Sequence, residues 1–493
     1  MTRIPRALSI GFSLGIAALL CACTVGPKYK RPDAPVAARW DVAEPWRESA
    51  PSDSLPKGQW WAVFSDDDLN NLEQQALTAN ESIKAASAHL EQARALAAIQ
   101  VAYVFPQFST APSAERQRLS GNRPTNGVAT PLTAATQNTF ALPFTVSYEA
   151  DLFGGRRRSI ESAQANYQAS AADLENVRLM ITSELAGDYF SLRQLDAQYA
   201  ILDHTVSTLA EGLKLVDARH KGGVASGLDV AQEETLLHST RTQAILIQQQ
   251  RKQFEDAIAV LTNHPAPNFH LSPKPYDAEP PAINAGLPSD LLERRPDIAE
   301  AERQMAAANA QIGVARAAYF PSLNLFGSGG WQAANIAKLA NVQSTFWAVG
   351  ANVAETIFSG GARRAQVQYA QSGYDAAVAN YRGSVLNALR EVQDALTGLA
   401  VLSDAQKSQQ EAVDSGRRTV DIANNRYVGG LVSYLDVVNA QQTLLNDENQ
   451  MAVIRGQKLV NSVLLVKALG GGWDSASLNA LQVKPKLSDI VAP

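Results

Sequence analysis

The sequence predicts a mainly α-helical chain that also carries a transmembrane β-barrel. The unit is a helix hairpin plus a β-hairpin, present twice, and three chains together close a 12-strand barrel on a long α-helical coiled-coil barrel. Three observations predict it. The segment RHKGGVASGLDV at 219–230 returns as RYVGGLVSYLDV at 426–437, shifted by 207 positions. FGGR at 153–156 returns loosely as FSGGAR at 358–363, while Ile83, Ala86, Ala93, Phe105 and Pro106 match Ile298, Ala301, Ala308, Phe320 and Pro321 at a shift of 215. A self-similar chain is one structural unit used twice. The second observation is strict two-residue alternation, and the third is a sustained seven-residue apolar period.

The N-terminus reads as an export signal. Arg3 and Arg6 supply the positive region and 7–20 the short apolar region. Leu20 and Ala22 stand where a lipoprotein signal needs a branched apolar and a small residue before its modified cysteine, so Cys23 is the predicted lipidation site. An ordinary secretory signal with two incidental cysteines is the alternative. Two or more acyl chains would anchor the mature chain stably. Thr24, rather than an aspartate, follows Cys23 and favours the outer membrane. Cys21 falls within the signal, so the mature protein has no disulfide, no free thiol and no thiolate metal site. No other run is long and apolar enough for a membrane helix, so any span must be a closed barrel. A formal net charge of −5 argues against nucleic acid as partner.

The predicted organisation is a lipoprotein signal at 1–22, a lipidated arm at 23–65, a first repeat at 66–265, a linker at 266–288, a second repeat at 289–470 and a tail at 471–493. The arm is rich in proline, tryptophan and charge. After the segment 59–66, one amphipathic, alanine-rich helix is expected over about 66–103, stopping near Pro106. From Thr139 the period changes: Phe140, Leu142, Phe144, Val146, Tyr148 and Ala150 alternate with small or polar residues, over the length of a tilted membrane strand. Trp347, Val349, Ala351 and Val353 repeat the pattern, and partner strands are expected near 106–116 and 320–330. A soluble hairpin with one buried face would show the same alternation. Each strand pair leads into a long helix. Leu192/Leu195, Tyr199/Leu202, Val206/Leu209 and Leu213/Val216 are apolar pairs repeating every seven residues. Val378, Val385, Val392, Leu399, Val413 and Val420 form the second row, broken at Gln406, and Val438, Leu445, Ala452, Leu459 and Val466 its return. Such sevens specify supercoiled helices. The Gly-Gly pairs end the long helices and turn the chain, with returns from about Leu228 and Leu435. One long helix would lie beside two shorter ones stacked end to end.

Four strands cannot close a barrel, since about eight is the practical minimum, and an open edge in lipid costs several kcal/mol per unpaired group. A homotrimer closes one.

At this point the residues resemble a family. The lipobox followed by TVGPKY (24–29), Trp60 and Trp61, LLERRPDI (291–298), AYFPSL (318–323) and the tip around Tyr427, Gly429, Gly430, Ser433 and Asp436 resemble the TolC/OprM-like outer membrane factors, in their lipoprotein (NodT-type) branch. The resemblance runs over nearly all of 23–470. It implies a trimeric exit duct whose tips dock on a periplasmic adaptor (membrane fusion) protein and an inner-membrane transporter, most often of the RND type. The expected site is outer membrane and periplasm, with lipid on Cys23 the only covalent addition and no cofactor.

On that basis Arg219, Gly222, Gly223 and Ser226, with Arg426, Gly429, Gly430 and Ser433, are candidate adaptor-docking residues; the alternative is that they only form the turn. Asp436 is a candidate periplasmic gate residue if three copies face the lumen. It and Asp229 are equally readable as helix N-terminal carboxylates. Family members carry an acid at the position of Asn439, so a two-ring gate is in doubt here. Arg294, Arg295, Pro296 and Asp297 read as a helix start. Six histidines show no ligand spacing, and no catalytic set is present. The expected function is the outer membrane channel of a tripartite efflux pump exporting drugs or other small toxic compounds, conferring antibiotic resistance. The exit duct of a type I protein secretion system is the alternative, and a purely structural coiled-coil tether is opposed by the lipid-facing strands.

Overall fold

The two longest helices are both 67 residues, Gly155–Lys221 and Ala362–Val428. At 1.5 Å per residue each runs about 100 Å. The computed structural model describes residues 24–37, 39–41, 58–121, 134–274, 279–281, 283 and 288–484; Cys23 and the signal lie outside them. In chain order the helices are α1 (Asp67–Ala79), α2 (Glu81–Ala102), α3 (Gly155–Lys221), α4 (Gly227–Leu261), the short α5 (Leu291–Arg294), α6 (Pro296–Ala317), α7 (Ala362–Val428) and α8 (Tyr434–Ala468). The strands are β1 (Gln107–Thr110), β2 (Ser113–Leu119), β3 (Ala135–Ala150), β4 (Ser322–Ala333) and β5 (Thr345–Ala354).

Two expectations need correction. The helix over 66–103 is broken: Asn80 is extended, its side chain accepts from Ser82 N and Ile83 N, and its Nδ2 donates to Leu261 O at 2.9 Å. An asparagine N-cap meets orphan amides that an unbroken helix would not leave. The strand expected near 106–116 is split at residues 111 and 112, because Pro112 has no N–H for the ladder. Both pieces pair with β3, Phe108 opposite Val146 and Ala114 opposite Phe140.

The sheet runs β1/β2–β3–β4–β5, antiparallel throughout, and does not close on itself. Directly paired residues share a face. Phe144 therefore sides with Gly329 and Trp347, Val146 with Gly327 and Val349, and Tyr148 with Leu325 and Ala351. Phe108, Trp347 and Val349 are 81%, 79% and 75% exposed, so none of the described residues covers this apolar face. The opposite face carries Ser109, Thr145, Ser147, Ser328 and Asn324. Phe326 interrupts it and lays its ring over Gly350.

The helices form a layer with the same lateral order. α3 packs on α2 and α4 along one side and on α6 and α8 along the other, and α7 packs beyond α6 and α8. Long rods thus lie beside stacked shorter ones. The seven-residue rows point inward: Leu192, Leu195, Leu202, Leu209 and Val216 are buried, as are Val385, Val392, Leu399 and Val413. The break at Gln406 is filled by polar contacts, its side chain bonding Glu279 and Lys458 at 2.6 Å each. The largest core cluster sits halfway down, where Trp60, Trp61 and Phe64 pack on Tyr189 and Phe190. Beside it the linker is clamped by buried Arg193, which donates to Asp196 and to Ser272 O, while Glu255 accepts from Leu271 N. Pro296 does open α6, and Arg295, buried, pairs with Asp297 and Glu391 and donates to Ala468 O: a structural role. Among the described residues no helix is long and apolar enough to cross a membrane.

Candidate functional site: the hairpin tips

The two helical hairpins turn in the same way. Gly223 N donates to His220 O and Val224 N to Arg219 O, both at 2.9 Å; Gly430 N and Leu431 N repeat this to Tyr427 O and Arg426 O at 3.0 and 2.9 Å. That is the Schellman closure of a helix C-terminus. It requires the left-handed backbone only at the second glycine, with φ of 75° at Gly223 and 72° at Gly430; Gly222 and Gly429 are at −79° and −75°. The returns begin with capping boxes. Ser226 Oγ accepts from Asp229 N, and Asp229 Oδ2 accepts from Ser226 N. Asp436 Oδ2 accepts from Ser433 N at 3.1 Å and Ser433 Oγ at 2.8 Å. Both aspartates therefore do the work of helix-end carboxylates. Asp436 and Asn439 are also exposed, one turn apart on α8.

The structure brings together residues that the sequence did not single out. Arg219 lays its guanidinium over the Tyr427 ring, 4.9 Å from the centroid, and the rings of Tyr427 and Tyr434 lie 4.8 Å apart. Beneath them Glu233 is fully buried, and neither carboxylate oxygen has a hydrogen-bond partner of normal geometry. Burial pushes the Glu233 carboxyl above the usual range, and the Tyr434 hydroxyl facing it offsets part of that. Tyr434 is itself raised, first by burial and then by Glu233. Gly212 on α3 makes the space: a Cβ there would lie 2.6 Å from Glu233 Oε1. The cluster joins α3 and α4 of the first hairpin to α7 and α8 of the second. It is asymmetric, since the positions matching Glu233 and Tyr434 at the 207-residue shift are Ala440 and Gly227. Departure from the repeat was the signal available in the sequence.

Arg426 is exposed at the rim, and around it the tips present apolar side chains to solvent. Val224, Leu228, Val428 and Leu431 are 70%, 66%, 66% and 72% exposed. No cluster of potential metal ligands occurs among the described residues.

The sequence signature of the outer membrane efflux protein family matches residues 72–264 and 287–471, which between them hold both hairpins. The chain belongs to that family. Among its relatives, the pyoverdine export outer membrane protein OpmQ of Pseudomonas aeruginosa is 33% identical over 463 residues, 93% of this chain and 97% of OpmQ. The toluene efflux pump outer membrane protein TtgF of Pseudomonas putida is 32% identical over 476 residues, 95% and 98% of the two chains. Among solved structures, the Campylobacter jejuni CmeC outer membrane channel superposes with a TM-score of 0.86 at 27% identity, covering 92% of this chain and 96% of CmeC. The family's members here are efflux channels of the outer membrane, and this chain is one; none of these likenesses favours a protein-secretion duct.

Proposed function

We propose that the chain is the outer-membrane duct of a tripartite efflux pump, working as a homotrimer. One observation carries the trimer. The sheet and the helical layer are open at the same two sides, β1/β2 with α2 and α4 on one and β5 with α7 on the other. Unpaired edges are untenable in lipid. Three chains with four strand positions each give twelve strands around one axis, and the same operator closes the helices into a tube. The uncovered apolar face then meets lipid and the face with Ser109, Thr145 and Asn324 lines the pore. Native mass spectrometry of the detergent-purified chain should report a trimer; monomer alone would refute the closure.

Acylation of Cys23 fits where the arm lies. Val25 N donates to Phe153 O at 3.1 Å, and Arg158 donates to Val25 O and Gly26 O. Residue 25 is thereby held where sheet gives way to helix, at the level of the bilayer surface, with Cys23 two residues away.

At the other end the tips are the docking surface. Rigid turns present Val224, Leu228, Val428 and Leu431 amid polar loops, a fit for the apolar residues of an adaptor hairpin, with Arg219 and Arg426 setting charge. The Arg219–Tyr427–Tyr434–Glu233 cluster is the latch that keeps the duct narrow until the adaptor engages. Relatives are named for the export of pyoverdine and for the efflux of toluene. We take the cargo to be small toxic organic compounds, chosen by an inner-membrane transporter rather than by the duct.

A further inference from the structure

Six arginines flank the junction between sheet and helix. Four are neutralised within the chain: Arg156 by Glu149, Arg157 by Asp151, Arg158 by Glu161 and Arg363 by Glu355. Arg316, in the last turn of α6, and Arg364, in the first turn of α7, have no carboxylate partner among the described residues. Both line one groove of about 850 Å3, together with Val25, Tyr319 and Phe320. The duplication supplies an internal comparison. Arg157, the counterpart of Arg364 at the 207-residue shift, is held by Asp151 at 3.0 Å. Between β5 and α7 the only acid is Glu355, and Arg363 takes it. The second copy thus keeps the arginine and lacks its partner.

The groove's setting decides what the free charge can meet. Arg158 fixes Val25 at its rim. On the reading that Cys23 is acylated, the chain two residues earlier enters lipid, so the groove opens on the outside of the duct and not into the lumen. Its upper wall carries Tyr319 and Phe320, 45% and 41% exposed, and Phe320 stacks on Phe153 at 4.6 Å between centroids. Exposed aromatics beneath an apolar sheet face mark the headgroup level. Two guanidiniums there would face the phosphates of the periplasmic leaflet in a layer partly shielded from water, where charge-assisted bonds are strong. Asp375, also on the groove, is eleven residues further along α7 (375 − 364), about 16 Å down the helix and beyond the reach of a headgroup held at Arg364.

We propose that this groove binds a glycerophospholipid of the periplasmic leaflet, Arg316 and Arg364 holding its phosphate and Tyr319 and Phe320 its glycerol and upper acyl carbons. Each chain of the trimer would hold one such lipid next to its own acyl anchor, fixing the depth at which the duct sits.

The test is native mass spectrometry of the full-length trimer in mild detergent with added dioleoylphosphatidylglycerol. The wild type should retain the phospholipid, and Arg316→Gln/Arg364→Gln should lower retention at least tenfold while the trimer peak persists. Arg157→Gln, whose parent arginine is already paired, should leave retention unchanged. Dioleoylglycerol, with the same acyl chains and no phosphate, should not be retained, and millimolar inorganic phosphate should not displace the phospholipid. Equal retention by the double variant, or of dioleoylglycerol, overturns the site; displacement by inorganic phosphate makes it a free-anion site and overturns the lipid. The intact mass reports acylation of Cys23 separately. An acylated trimer with arginine-independent lipid refutes the groove alone. An unacylated one with arginine-dependent lipid refutes the anchor and leaves the groove standing.

Discussion

Replacing Tyr434 by phenylalanine removes one oxygen from the tip and should loosen the duct. Tyr434 is 5% exposed and its hydroxyl is the donor facing the fully buried Glu233, so the variant leaves that carboxyl with no polar neighbour across the hairpins. The contact falls short of a normal hydrogen bond, so its loss costs the low end of the usual range, about 0.5–1 kcal/mol. In a trimer the loss occurs three times, about 1.5–3 kcal/mol against the closed form. At roughly 1.4 kcal/mol per tenfold, the ratio of closed to open duct should fall about tenfold to a hundredfold. Arg219→Ala removes a partly exposed cation–π contact worth about 0.5–1 kcal/mol per chain and should act in the same direction to a similar extent. Gly212→Ala should match Tyr434→Phe by another route, its Cβ displacing Glu233. Planar-bilayer recordings give the open probability and conductance directly, and entry of a large, normally excluded antibiotic gives a cellular readout. If Tyr434→Phe forms trimers with wild-type conductance and open probability, the cluster is packing and not a latch.

Asp436→Ala removes half of a capping box, so about 1 kcal/mol of local stability should be lost whatever else the residue does. If three copies also ring the pore, cation preference and divalent block should weaken in single-channel recordings, and less so in Asp229→Ala; unchanged selectivity would confine Asp436 to its helix end. Glu300 has its carboxyl pushed up to about 7, first by burial and then by Asp173 and Asp297. A raised carboxyl binds its proton more tightly in the folded chain, so its contribution is full below the unfolded value near 4.5 and is lost as pH climbs to about 7. Glu300→Gln should therefore flatten the fall in thermal stability across that window, and an unaltered pH profile would count against the shift. Fatty-acid labelling should mark the wild type and not Cys23→Ser; label on the variant would remove the anchor.

Periodicity is a local property of the chain, and what it reports is legible in the sequence. The sevens from Leu192 to Val216 and from Val378 to Val420 gave rods whose rows are buried at most positions and half-buried at Tyr199, Val206, Leu213, Val378 and Val420, and the alternation from Phe140 to Ala150 gave a two-faced strand. Asn80 carries a plain cap signal inside a strong helical pattern that outweighs it, and Pro112 signals a ladder break in a segment whose alternation is weak. Phe326 is different: it stands on the polar face because Gly350, opposite it, leaves room for its ring.

Which side chains meet across the tips could not come from the sequence. Glu233 looks like any surface glutamate of an amphipathic helix, and it is buried only because α8 delivers Tyr434, about 200 residues later, onto α3 at Gly212. The same holds at the junction, where Arg157 and Arg364 read alike until Asp151 is seen on one and no carboxylate of the described residues on the other. The sequence by itself determined the elements, their duplication and their apolar faces, because backbone geometry and the spacing of side chains along one helix or strand decide those. The tertiary structure decided the lateral order of the rods, the open edges on both sides and the partners of each buried charge. Those depend on contacts between distant segments, and no local pattern encodes them.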